Sequence, residues 1–190
     1  MPPEATASGI GDRGFHAACW YQRDFDLMPA EDRVFVHFGA VDYLAQVWVN
    51  GYHALEHEDG HTPFSADTTE LLDVSGRQTL TVYAYDDPHD LTKPRGKQDW
   101  QMEPHATWYP RTTGIWQTVW IERVARTYIR RIRWTPHVEG FAIAFEARIG
   151  GDLLADLSLT LTLHHGERLH CRRAARGESA RTATVAVTLE

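Results

Sequence analysis

The sequence predicts an all-β protein built of two successive sandwiches. Apolar and polar residues alternate over short stretches rich in Val, Phe, Tyr, Trp and Thr. Gly, Pro, Asn and Asp punctuate those stretches. No segment holds an i, i+3, i+4, i+7 apolar stripe over three turns, so helix is scarce. The 190 residues suffice for one large domain or two small ones, and 43% hydrophobic with 24% charged residues supply a core and exclude wholesale disorder.

In chain order, the first strands are expected at Cys19–Phe25, Val34–Phe38, Gln46–Val49, Thr79–Tyr85 and Ile115–Val124. Within Val47-Trp48-Val49-Asn50-Gly51-Tyr52, the Asn-Gly pair tolerates positive φ at both turn positions and closes a tight hairpin after a buried strand. The pattern restarts after Val124 with Thr127–Trp134, Phe141–Ile149, Leu157–Leu163, Glu167–Arg172 and Thr182–Leu189, separated by Glu139-Gly140, Gly150-Gly151 and His165-Gly166. Five strands suggest a second sandwich, but an immunoglobulin-like one takes about seven strands over ~100 residues, so residues 125–190 are expected to be incomplete. Arg172-Arg173-Ala174-Ala175-Arg176 reads as a solvated turn, and no internal repeat is present.

Charge divides the chain at the same place. Residues 1–124 carry 9 Lys and Arg against 19 Asp and Glu, a charge of −10, whereas residues 125–190 carry 10 against 7, a charge of +3. The net −7 argues against a nucleic-acid partner, because phosphate binding needs clustered cations. No apolar run approaches the ~18 to 20 residues that cross a bilayer, and Met1-Pro2-Pro3-Glu4 opens nothing like a signal peptide, so no membrane partner is expected. Cys19 and Cys171 lie on opposite sides of the divide, which makes a disulfide framework implausible and a reducing, cytoplasmic compartment the expectation.

The connection from Asp86 to Gly114 differs in kind. It holds Asp86, Asp87, Asp90, Asp99, both lysines of the chain (Lys93 and Lys97), Trp100 and Trp108, with no obvious strand. Loops longer than ~12 to 15 residues are uncommon unless they have a task, so this segment is the expected working surface.

Phe38-Gly39-Ala40-Val41-Asp42-Tyr43, Val47-Trp48-Val49-Asn50-Gly51 and His57-Glu58-Asp59-Gly60-His61-Thr62-Pro63-Phe64 carry a resemblance. Pro94-Arg95-Gly96-Lys97-Gln98 and the run Tyr109-Pro110-Arg111-Thr112-Thr113-Gly114-Ile115-Trp116-Gln117-Thr118-Val119-Trp120-Ile121-Glu122 extend it, as do Ser8-Gly9-Ile10-Gly11 and Trp20-Tyr21-Gln22-Arg23 upstream. Together they resemble the amino-terminal sugar-binding domain of glycoside hydrolase family 2, whose members include β-galactosidases, β-glucuronidases and β-mannosidases. The resemblance spans roughly residues 2–124. It implies a galactose-binding-like jelly roll for residues 1–124 and an immunoglobulin-like sandwich from about 125. In the family a third domain, a (β/α)8 barrel of ~250 residues, supplies the acid/base and nucleophile glutamates for retaining hydrolysis. Neither barrel nor catalytic pair is present here, so no catalytic residue is assigned. The chain departs from the family pattern at Asp59-Gly60, where two glycines are usual, and at Thr68, where an apolar residue is usual.

Five residues are candidate substrate contacts: Lys97, Gln98, Trp100, Trp108 and Arg111. Trp100 and Trp108 suit either packing or a cleft in which an indole stacks on a sugar ring. Lys97, Gln98 and Arg111 suit either sugar hydroxyls and carboxylates or a structural clamp on neighbouring loops. Trp116 and Trp120 read as core or interface. His53, His57 and His61 recur every four residues, but Gly51, Gly60 and Pro63 argue against the helix that would align them, so no metal is assigned. The four aspartates lack the spacing of a calcium loop and read as an acidic, solvated segment, and no cofactor is implied. Glu103 and Asp99 are near the aromatic loop, yet nearness in sequence does not make a glycosidase pair.

The expected function is therefore the non-catalytic amino-terminal portion of a family 2 glycoside hydrolase, walling the active-site pocket of an absent barrel that cleaves a β-galactoside or β-glucuronide-type carbohydrate. The alternatives are a free-standing carbohydrate-binding module and an interaction sandwich with no sugar role. Unpaired strand edges would favour self-association into a homo-oligomer.

Overall fold

The computed structural model describes residues 8–12, 14, 16–101, 103–152, 157–165, 167–177 and 182–188. The fold is all-β, and the chain divides into two compact units, residues 1–123 and 124–190.

The first unit holds a four-stranded sheet in the order β1 (Ala18–Asp26), β7 (Arg77–Tyr85), β4 (Leu44–Val49), β5 (Tyr52–Glu58). A second sheet is ordered β6 (Phe64–Asp67), β2 (Arg33–Phe38), β9 (Val119–Val124), and the short β3 (Val41–Asp42) pairs with β8 (Gly114–Ile115). Strands β2 and β4 alternate strictly between half-buried and buried positions. That period of two places Val36 and Phe38 of β2 in one core with Val41, Ala45, Val47, Val82 and Ala84. Phe38 and Phe64 stack across β2 and β6, their centroids 4.8 Å apart.

The expected hairpin forms between β4 and β5, with Asn50 at φ 52° and Gly51 at φ 82°. Asn50 does more than turn. Its side-chain amide donates to the Leu71 carbonyl and to Gln78 Oε1, and its Oδ1 accepts from the Thr79 amide. Gln78 is fully buried, and its own amide donates to the Leu27 and Asp73 carbonyls, so the polar group is satisfied where it sits.

Three expectations need correction. Ile115–Val124 is two strands, because the chain changes partner: β8 pairs with β3, then Gly39 donates its amide to the Thr118 carbonyl before β9 joins β2. The arginine run at 172–176 lies inside β13 (Arg168–Gly177), paired with β12 (Leu157–His165). The alternating Leu and Thr of β12 suit a strand and supply the template for that pairing. The turn at Glu139-Gly140 also shifts by one residue, since Phe141 takes the left-handed conformation, at φ 45°.

In the second unit, β10 (Thr127–His137), β11 (Ala142–Gly151) and β14 (Thr182–Thr188) form one sheet, and β12 with β13 forms another. Pro136 sits on β10, at the edge of its sheet, where proline is tolerated in a strand. Trp134 packs on the buried Phe145 across the β10–β11 pair, at 4.5 Å. Gly166 of one expected turn and Leu189 of the last expected strand lie outside the described residues.

Candidate functional site

Between β7 and β8, residues 86–113 contain no strand among the described residues, only an isolated parallel bridge between Gln98 and Tyr109. Buried polar contacts nevertheless hold the segment at both ends. Arg111 Nη2 donates to Asp86 Oδ2 at 2.5 Å and to the Asp86 carbonyl at 2.7 Å, with both residues buried. Burial pushes the Asp86 carboxyl up from its ordinary range, and Arg111 opposes that push.

A second fastening joins the segment to β3. Gln98 Nε2 donates to Asp42 Oδ2 at 2.6 Å, while Gln98 Oε1 accepts the Thr112 amide at 2.8 Å. The buried Asp42 carboxyl is raised by desolvation, with the Gln98 hydrogen bond and the charges of His61 and Arg111 offsetting part of the effect. Gly60 closes over it, and any Cβ there would collide with Asp42 Oδ1. A side chain at position 60 would therefore have to displace Asp42. Lys93 Nζ completes this side, lying 5.2 Å from the Tyr43 ring centroid and 5.1 Å from that of Tyr85.

Beyond these fastenings the chain forms a compact tip. The Asp99 amide donates to the Tyr109 carbonyl and the Tyr109 amide to the Lys97 carbonyl, closing the neck at 2.9 Å each. The Asp99 side chain is 0% exposed. Its Oδ1 accepts the Gln101 amide at 3.0 Å, and its Oδ2 accepts both the amide and the Nδ1 of His105 at 2.7 Å each. Burial alone would raise this carboxyl, but the amides of Gln101 and His105 and the imidazole outweigh it and hold it below the usual range. Trp100 stands edge-on to His105, with centroids 5.3 Å apart at 84°, and packs on Trp108 at 5.5 Å and 65°.

The structure thus separates the five candidate residues into two groups. Gln98 and Arg111 are engaged inside the unit as fastenings. Trp100, 44% exposed, contacts the half-buried Trp108 at the tip, and Lys97 is exposed on the neck. The solvated reading of the acidic residues fails for Asp86 and Asp99, because each is enclosed with a cationic or N–H partner. Asp87 and Asp90 keep local roles, accepting the amides of His89 and Thr92. Trp116 and Trp120 are not core. Trp116 is 39% exposed and donates Nε1 to the Gly60 carbonyl, and Trp120, 44% exposed, stacks on His37 at 4.9 Å.

The three spaced histidines engage different partners. His53 meets Trp48 edge-on, His57 stacks on Phe64, and His61 meets Trp116. Among the described residues no three His, Cys, Asp or Glu side chains are grouped to hold a metal ion. Nor is any helix long and apolar enough to cross a membrane. Asp42 and His105 were not singled out from the sequence. No periodic signal marks Asp42, whereas the Asp99-to-His105 spacing within a long loop is the only trace of their pairing.

A four-stranded and a three-stranded sheet with the short β3–β8 pair, one apolar core and a long fastened loop between β7 and β8 define a galactose-binding-like β-sandwich. Residues 15–135 match the family model described as glycosyl hydrolase 2 galactose-binding domain-like, and the chain belongs to that family. The β-glucuronidase of Canis lupus familiaris is 36% identical over 104 residues, covering 48% of this chain and 16% of that protein. The β-galactosidase of Thermoanaerobacter pseudethanolicus is 28% identical over 123 residues, covering 64% and 16%. The match therefore takes in about a sixth of the length of these relatives. The fold is also that of a Bacteroides uniformis β-glucuronidase, with a TM-score of 0.67 at 18% identity over 91% of this chain and 21% of the other. A Bacteroides vulgatus β-glycosidase gives a TM-score of 0.67 at 15% identity over 92% and 21%.

Proposed function

We propose that this chain is the non-catalytic amino-terminal portion of a family 2 β-glycosidase and that its 86–113 loop walls one side of the pocket of a (β/α)8 catalytic domain. In this reading residues 1–124 are the sugar-binding domain and residues 125–190 belong to an immunoglobulin-like sandwich. The substrates are β-galactoside or β-glucuronide-type glycosides, in keeping with relatives that bear those enzyme names.

The observation that carries the reading is the way the loop is fastened. Two buried charge-assisted contacts, Asp86 with Arg111 and Asp42 with Gln98, fix a segment that exposes Trp100 at its tip and Lys97 on its neck. A loop that merely joined two strands would not need such contacts. Three buried carboxylates that hold the loop are already committed, Asp42 to Gln98, Asp86 to Arg111 and Asp99 to His105, so none of the three is poised as a general acid or nucleophile.

The test uses 4-nitrophenyl β-D-glucuronide and β-D-galactoside. The chain alone is expected to release no nitrophenol. Joined ahead of a family 2 catalytic barrel, it is expected to lower KM, and Trp100→Ala should cancel part of that gain. Turnover by the chain alone that is abolished by Glu103→Gln would overturn the reading, and saturable sugar binding with no effect on a barrel would favour a free-standing carbohydrate-binding module.

A further inference from the structure

The loop tip holds one arrangement that fastening does not explain. Two backbone amides already satisfy the Asp99 carboxylate, yet a third bond runs from it to the ring of His105. A buried carboxylate is costly unless it is hydrogen-bonded, and here the third partner is an imidazole whose side chain is 41% exposed. An ionised carboxylate can only accept, so His105 must carry its proton on Nδ1. In the neutral imidazole Nε2 then carries the lone pair, and no described residue hydrogen-bonds to it. This is the device by which a carboxylate fixes the tautomer of a histidine whose other nitrogen meets a ligand.

The surroundings indicate which ligand. Trp100 stands at 84° to the imidazole, and Trp108 supports it from another side. An exposed indole offers a face for the C–H groups of a sugar ring, and a fixed acceptor beside it suits a hydroxyl. We propose that Trp100 and His105, positioned by Asp99, form a pyranoside-binding corner in which His105 Nε2 accepts a hydrogen bond from a sugar hydroxyl while the ring packs on the Trp100 indole. The proposal rests on the reading of the 86–113 loop as sugar-facing, and it names the residue that does the recognising.

The experiment uses the 190-residue chain labelled with 15N at histidine and tryptophan. Long-range 1H–15N spectra at mildly alkaline pH are expected to show His105 as the Nδ1–H tautomer. Titration with methyl β-D-galactopyranoside, methyl β-D-glucopyranoside and methyl β-D-glucuronide should move the His105 Nε2 and Trp100 indole resonances saturably for at least one sugar. His105→Ala should weaken that binding about tenfold or more, and His105→Gln, which keeps an acceptor, should weaken it less. Asp99→Asn puts a weaker acceptor under the ring, so it should blur the tautomer preference and lower affinity in step. An Nε2–H tautomer would overturn the proposal. So would saturation that leaves His105 unmoved, unchanged affinity in His105→Ala, or no saturable binding of any of the three sugars.

Failure here and failure of the wall reading are distinguishable. A sugar held at His105 by a loop that leaves barrel kinetics unchanged would sink the wall reading alone. A loop that alters KM while His105 stays silent would sink this proposal alone.

Discussion

The sheet interior and the 86–113 loop belong to the same unit and are both ordered, yet opposite means hold them. The interior is Val36, Phe38, Val41, Val47 and Val82, with 1% exposure or less, and needs no specific partner for any one side chain. The loop instead depends on Asp86 with Arg111, Asp42 with Gln98, and Asp99 with His105. Apolar burial is tolerant and cumulative, whereas buried polar pairs are conditional: when one partner is lost, the other is left without its hydrogen bonds. The difference teaches that the scaffold and its long loop can fail separately.

The largest effect should come from breaking the most enclosed pair. Asp86→Ala leaves Arg111 buried without its carboxylate and is expected to cost about 3–5 kcal/mol in denaturant unfolding. Asp86→Leu combined with Arg111→Met should recover most of that loss, because no charge is stranded. If the double substitution is as damaging as the single one, the pair is not the source of the effect. Next in size, Gln98→Leu removes a donor from Asp42 and an acceptor from the Thr112 amide and is expected to cost about 1–3 kcal/mol. Limited proteolysis should then cut between residues 96 and 109 while the β4–β5 hairpin stays intact. Cleavage there at the wild-type rate would contradict the fastening role.

The smallest effect is one of pH. Burial holds the Asp42 carboxyl above the ordinary carboxylate range, with Gln98 offsetting only part of the rise. A carboxyl whose folded pKa exceeds its unfolded value binds a proton more readily when folded. Its cost is therefore present in full above the folded pKa and is relieved as pH falls through it. Measured against Asp42→Asn, the wild type should gain stability as pH drops from neutral toward the ordinary carboxylate range. A loss over that window would show that the charged form is favoured in the fold.

The same contrast explains what the sequence reveals. Strands β2 and β4 are legible because alternation states which face is buried, and Asn50-Gly51 announces its turn through backbone chemistry alone. The break between β8 and β9 is not legible, because it depends on an amide from Gly39 reaching the Thr118 carbonyl. Length and composition marked the loop, and Gln98 and Arg111 stood out as clamp or contact. Only the fold supplies their partners, since a single side-chain bond between distant positions leaves no period in the sequence. Asp42 illustrates this: within β3 it reads as an ordinary polar position, and only its place beneath Gly60 and beside Gln98 makes it a fastening.

Hydrogen exchange of the backbone amides of Asp99, Tyr109 and Thr112 tests most directly whether the loop is a fastened part of the unit. These amides bond to the Tyr109 carbonyl, the Lys97 carbonyl and Gln98 Oε1. They should be strongly protected in the wild type and lose that protection in Gln98→Leu while the amides of β4 and β7 keep theirs. Exchange of all three at the rate of an open chain in the wild type would contradict the account.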